Sequence, residues 1–203
     1  MSGRLALFRW SAALAALPGF PALQPHWNLS PGASLLLLRG VDDERRADLA
    51  RWGLTPAWLT DLSRTPAHAR AETLAEQPMF REAFRLRRGL VPINGFYEWR
   101  GVRKRPYWVG GEESLLYCAA LWEVYPAGDR EYLSLALVTR PAADLRRPLL
   151  LDAEGQRDWL AADTPASRLM ALLQAPAPPL RERALAGLVN DPGLDGPECL
   201  TPA

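Results

Sequence analysis

From Arg88 to Arg140 the chain is a succession of short apolar stretches broken by turn residues: "RGLVPI", "NG", "FYEW", "RPYWV", "GG", "SLLYCAALWEVY", "PAGD" and "EYLSLALVTR". Runs of this length, rich in aromatic and β-branched residues and separated by Gly, Pro, Asn and Asp, predict strands joined by hairpins. They commit the middle of the chain to a β-rich core. Within it, "NGFYEW" carries one carboxylate among aromatics. Asn94-Gly95 reads as a turn because both residues tolerate positive φ. On the strand that follows, alternation places Phe96 and Glu98 on one face and Tyr97 and Trp99 on the other. Glu98 is therefore either a structural acid paired with an arginine or the acid of an active site.

The ends read as helical. "LALFRWSAALAAL" predicts an amphipathic helix ending near Pro18, and "ETLAEQPMFREAF" has helical spacing interrupted by Pro78. Asp152 is placed to cap a helix over "AEGQRDWLA". Thr164 and Pro165 stand as cap and first residue of another over "ASRLMALLQA". "ASLLLLRG" fits a buried strand. "APAPPL" is a local proline linker, and there is no internal repeat. The expectation is one α+β domain over residues 1–203.

Composition excludes several classes. With 48% apolar and 23% charged residues the chain is ordinary for a soluble globular protein, and a net charge of +1 gives no global field for nucleic acid. Cys118 and Cys199 form no metal or disulfide pattern. Arg9 breaks the one stretch that resembles a signal segment, and no run approaches the ~18 apolar residues of a membrane helix. The expected compartment is the cytoplasm. Lys104 is the only lysine, so amine chemistry is limited to Lys104 and the N-terminal amine. Arg81, Arg85, Arg87, Arg88, Arg100, Arg103, Lys104 and Arg105 crowd one region against Glu82 and Glu98. Such a strip is either a solvated face or a phosphate-gripping one, with Trp58, Trp99 or Trp108 as stacking platforms for unpaired bases.

The order of motifs adds what composition lacks. "MSGR", "NLSPG", "RWGLTPAWLTD", "ARAET", "RRGLVPINGFYEW", "LRRPLLL" and "LVNDPGLDGPECLTP" form one series that resembles the SRAP family, the SOS response-associated peptidase or abasic-site processing proteins. The resemblance spans nearly the whole chain. It implies a mostly antiparallel, barrel-like core with flanking helices. It also implies recognition of abasic sites in single-stranded DNA and a covalent link to them. In the family, removal of the initiator methionine exposes a cysteine whose amine and thiol close a thiazolidine on the sugar aldehyde; the same cysteine, with a glutamate and a histidine, is held responsible for the autoproteolytic or peptidase-like activity. Glu98 matches that glutamate. Arg4, Arg70, Glu72 and Arg146 fit the pattern, and Trp58 fits the aromatic near the DNA bend.

The sequence departs from the family where its chemistry resides. Position 2 is Ser2, Asp144 stands at the histidine position, His68 replaces an asparagine, and Gly89 stands where many members have a second cysteine. An α-amine with an ordinary pKa of about 7.7–8.0 still allows a Schiff base, but a serine hydroxyl gives only a labile oxazolidine. The durable adduct is expected to be missing. The resemblance therefore implies Ser2, Glu98 and Asp144 as the reacting set and Arg4, Trp58, His68, Arg70 and Arg146 as DNA contacts, in a monomer without cofactor. His68, Glu98 and Asp144 form a set that can suit a divalent metal, although no metal is expected. Two alternatives remain: a binding module without catalysis, and a small hydrolase using the Glu98/Asp144 pair.

Overall fold

A computed structural model describes residues 3–41, 44–111 and 115–203. Ser2 lies outside the described residues. The elements follow in chain order: β1 Leu5–Leu7, α1 Ala12–Ala15, β2 His26–Leu29, β3 Ser34–Val41, β4 Glu44–Trp52 and β5 His68–Arg70. Next come α2 Arg81–Leu86, β6 Arg88–Ile93, β7 Gly95–Arg100, β8 Arg105–Gly110, β9 Leu116–Ala127 and β10 Arg130–Ala142. β11 Leu145–Pro148, α3 Ala153–Leu160, α4 Ala166–Leu172 and β12 Arg181–Ala184 complete the series before short 3-10 turns at Gly187–Asn190 and Pro197–Leu200. The architecture is α+β.

Two sheets carry the fold. In the larger, β3 pairs with β4, β4 with β10, β10 with β9, β9 with β6, and β6 with β3 again, which closes a barrel. All these pairings are antiparallel except β4 with β10. β10 continues beyond the barrel and there pairs with β5 on one side and β11 on the other. The second sheet runs β12-β8-β7-β1-β2.

Three apolar clusters explain the strand patterns. On β3, Leu36 and Leu38 join the cluster under α2, α3 and α4, whereas Leu35 and Leu37 join the cluster shared with Leu5, Phe96 and Val109 of the second sheet. Both faces of β3 are covered, so "SLLLL" shows no alternation. A third cluster, built on Ala6, Tyr97, Leu185, Val189 and Cys199, packs the C-terminal turns over the other face of the second sheet. Asp195 fixes that tail by accepting hydrogen bonds from the backbone N–H groups of Trp27 (2.5 Å) and Asn28 (2.8 Å).

Several local expectations change. The predicted N-terminal helix is a strand at Leu5–Leu7 followed by a single helical turn. β1 lies between β2 and β7 and is buried on both faces, so its short apolar run is indistinguishable from a helix in sequence. Pro78 delays the next helix to Arg81. Asp152 caps α3 as expected, accepting from the Gly155 N–H at 2.8 Å. Thr164 does not cap α4; its hydroxyl donates to the Asp158 carbonyl at 2.6 Å, back onto α3. Asn94-Gly95 is a bend between β6 and β7, which belong to different sheets. Asn94 Oδ1 accepts from the N–H groups of Phe8 (2.8 Å) and Arg9 (3.0 Å).

Gly95 is required by a close approach rather than by positive φ. A Cβ there would stand 2.5 Å from the Val109 carbonyl oxygen and closer still to the Trp108 ring. Gly95→Ala is therefore expected to destabilise the fold by about 1–3 kcal/mol through overpacking, read as a lower urea midpoint at unchanged slope.

Candidate functional site

The site begins where the apolar face of β7 runs out. Alternation holds: Phe96 enters the inter-sheet cluster, Tyr97 packs on the opposite side beneath the tail, and Glu98 returns to the first face. Glu98 is only 2% exposed. Its Oε1 accepts from Arg147 Nε at 2.6 Å, and its Oε2 accepts from Arg147 Nη2 at 3.0 Å and from Arg100 Nε at 2.9 Å. Arg100 Nη2 adds a further bond to Oε2. Both guanidinium groups also hold Glu182: Arg100 Nη1 at 2.7 Å and Arg147 Nη2 at 2.6 Å. Two carboxylates and two arginines thus form a neutral square linking β7, β11 and β12.

The square shifts the groups that compose it. Hydrogen bonding to Glu182 is the chief reason that Arg100 holds its proton more tightly, and burial only partly opposes it. Arg147 shifts in the same direction, first through Glu98, against burial and with help from Glu182. The Arg100 bond holds the Glu182 carboxyl below the usual range; burial works against this and Arg147 reinforces it.

β11 sorts its two arginines by alternation. Arg147 points to Glu98, while its neighbour Arg146 turns to Glu72, donating from Nη1 and Nη2 to the two carboxylate oxygens at 2.7 Å each. Arg146 Nη2 also donates to the Thr139 carbonyl at 2.9 Å. Thr139 is the register partner of Arg70 across β5, so Arg70, Glu72 and Arg146 gather at the end of β10. Arg70 is exposed there. His68 sits two residues earlier with its ring edge-on to Trp52, centroids 5.5 Å apart. Arg4 donates to Asn28 Oδ1 and the Val189 carbonyl, both at 2.8 Å, and lies over the Trp99 ring. Trp58, at 57% exposed, lies in the loop between β4 and β5.

Two hairpin tips overhang the square. The Ala142–Leu145 pair closes β10 onto β11, leaving Ala143 and Asp144 as the tip, with Ala143 left-handed at φ 48°. The Arg100–Arg105 pair closes β7 onto β8, with Gly101 (φ 68°) and Lys104 (φ 49°) left-handed in the loop. Between the tips lies a cavity of about 420 Å³ lined by Trp99, Arg100, Lys104, Asp144, Leu145 and Arg147. β1 runs along β7 with Leu5 paired to Phe96, and the Tyr97 N–H donates to the Arg4 carbonyl at 3.1 Å. Continued by another pair, this register sets Gly3 across from Glu98.

Asp144 lines the cavity from an exposed tip, whereas Glu98 is buried behind Arg100 and Arg147 and does not line it. His68 belongs to the β5–β10 side, and among the described residues no trio of His, Cys, Asp or Glu is grouped to hold a metal. The arginine strip is not one free face. Arg88 is buried with Nε on the Trp159 carbonyl (2.8 Å) and Nη2 on the Ala161 carbonyl (2.6 Å), and Arg87 bonds Glu82 and Glu123. Trp99 is tied down by Asn190 at 2.7 Å. Glu182 went unnoticed in sequence because "RER" on an edge strand looks like ordinary solvated charge.

Comparison with known proteins gives one answer. The model of the family described as SOS response associated peptidase (SRAP) matches residues 1–192. Abasic site processing protein YoqW of Bacillus subtilis is 31% identical over 191 residues, covering 87% of this chain and 85% of that protein. Abasic site processing protein YedK of Escherichia coli is 30% identical over 155 residues, covering 71% and 68%. A crystal structure of a protein from Bacteroides thetaiotaomicron superposes with a TM-score of 0.84 over 99% of both chains; at 20% identity this speaks for the fold.

Removing Arg147 leaves Glu98 buried with one cation in place of two. Arg147→Ala is expected to cost about 3 kcal/mol, the low end for a broken buried pair because Arg100 remains. Since the folded-state value of Glu182 lies below its ordinary value of 4.5, its stabilising effect is complete above that pH and is lost as pH falls through the depressed value. Glu182→Gln is therefore expected to flatten the acid limb of the stability-versus-pH curve below 4.5. An acid limb identical to wild type would contradict this role.

Proposed function

Because the chain belongs to the SRAP family, we propose that it binds single-stranded DNA at abasic sites and engages the sugar aldehyde reversibly, through the α-amine of Ser2 once Met1 is removed. The observation that carries this reading is the β1–β7 register, which leads the N-terminal strand toward Glu98, whose partners Arg100 and Arg147 line the cavity between the hairpin tips. Relatives named abasic site processing proteins support the substrate class.

In this reading Arg70 contacts phosphate from its exposed position and Trp58 stacks on a base. Arg146 orients Glu72 and the end of β5, and His68 and Arg4 shape the walls beside them. An amine at position 2 forms an imine with an aldehyde, but a hydroxyl in place of a thiol closes no durable ring. Asp144, exposed on its tip, is the group available to move protons. Glu98 can do so only if a guanidinium yields one of its oxygens. That occupied state of Glu98 favours a second reading, a binding module that recognises the abasic site without reacting.

A gel assay separates the two. The first reading expects no heat-stable cross-link from wild type, a borohydride-trapped adduct on an abasic oligonucleotide, and a partly restored heat-stable adduct in Ser2→Cys. A heat-stable cross-link from wild type, or binding with no trapping at all, would sink it. For the binding surface, Arg70→Ala is expected to weaken single-strand affinity and to lower the salt slope by about one. Unchanged affinity across salt concentrations would remove Arg70 from the interface.

A further inference from the structure

Lys104 is the only lysine of the chain, and it is found in the wall of the cavity between the two hairpin tips, beside Arg100 and Arg147. Its backbone is left-handed, a conformation uncommon for a residue with a side chain, at the tip of the β7–β8 hairpin. Asp144, on the facing β10–β11 tip, lines the same cavity. Arg100 and Arg147, the other charged residues of the wall, are both engaged with Glu98 and Glu182. The cavity therefore presents one primary amine and one exposed carboxylate above a guanidinium floor whose charge is already matched.

We propose that Lys104 is a second imine-forming nucleophile of this site, acting on the aldehyde of a ring-opened abasic sugar with Asp144 as its proton carrier. The proposal rests on the functional reading above for its substrate and adds a reacting group to it. In the step, the lone pair of the free ε-amine forms the N–C bond to the aldehyde carbon. The carbonyl oxygen takes a proton and becomes the hydroxyl of a carbinolamine. A second proton turns that hydroxyl into departing water, and the nitrogen lone pair closes the C=N bond. One amine, one aldehyde and one proton give one protonated imine and one water. Asp144 accepts the proton released by nitrogen and returns it to the leaving hydroxyl, as a carboxylate within reach of both can do. The resulting link is reversible by hydrolysis. A chain without a thiol at position 2 thus has, besides its α-amine, a second amine able to form an imine.

The test uses the full chain with its α-amine acetylated, mixed with a single-stranded abasic oligonucleotide. Binding is read by fluorescence anisotropy without reductant. Borohydride is then added, and the trapped band is mapped by peptide mass spectrometry. The expected result is intact binding, a trapped band carrying the label on Lys104, and loss of that band in acetylated Lys104→Arg. Asp144→Asn is expected to slow formation of the band without weakening the anisotropy signal. Normal binding with no trapped band in the acetylated protein, or a band that survives Lys104→Arg, overturns the role of Lys104 while leaving the functional reading standing. Absence of binding to the abasic oligonucleotide overturns both.

Discussion

The square of Glu98, Arg100, Arg147 and Glu182 is the interaction on which the hairpin-tip end of this protein depends. Glu98 and Arg100 share β7, whereas Arg147 and Glu182 come from the distant β11 and β12, and each strand arrives by a different route. β11 is the return arm of a hairpin that projects from the barrel, and β12 is the outermost strand of the second sheet. Charge holds them where apolar packing has ended. Taking a carboxylate as buried as Glu98 out of water is costly, and only good geometry with every lone pair occupied offsets that cost. Here two guanidinium groups supply it, and Glu182 balances the charge they bring. The square resists disassembly by the loss of one member more than it adds to overall stability.

That arrangement also sets what the cavity above it can do. Its floor is electrically matched, so under the proposed function the reacting groups are those of the two hairpin tips, where Asp144 and Lys104 are exposed. The wall beside it, where Arg146 grips Glu72 against the Thr139 carbonyl, is braced in the same manner. Under the proposed function, a nucleic-acid strand docking here would meet a surface ordered in advance, which lowers the entropy cost of association. The C-terminal tail contributes by holding Asn28 and, through it, Arg4: Asn28 Nδ2 donates to the Leu194 carbonyl at 2.7 Å.

Much of this was legible in the residues. The strands of the middle, the buried β3, the Asp152 cap and the alternation of "GFYEW" follow from local pattern and are present. Among the middle strands β6 to β10, however, only β7–β8 and β9–β10 are hairpins; β6 to β7 and β8 to β9 pass between sheets. The differences have identifiable causes. Three buried residues at Leu5–Leu7 carry no period and so do not distinguish strand from helix. The chemistry of Thr164 suits a cap, but the Asp158 carbonyl competes for its hydroxyl. Sequence proximity makes the arginine strip look like one surface and hides that β6 and β7 belong to different sheets. Glu182 could not be found at all: its meaning comes from Arg100 and Arg147, and nothing in "RERA" signals partners 82 and 35 residues away.

The alternation of β11 has a consequence for the tip that precedes it. Arg146 and Arg147 are adjacent, chemically identical and assigned to different carboxylates solely by the side of the strand on which each emerges. A one-residue insertion or deletion in the Ala143–Asp144 tip that slipped the β10–β11 register would exchange their faces. One arginine would then take the other's place while its neighbour moved one residue along the strand, leaving one of the two carboxylates without its guanidinium. The length of that tip therefore matters to the two ion pairs more than the identity of its residues.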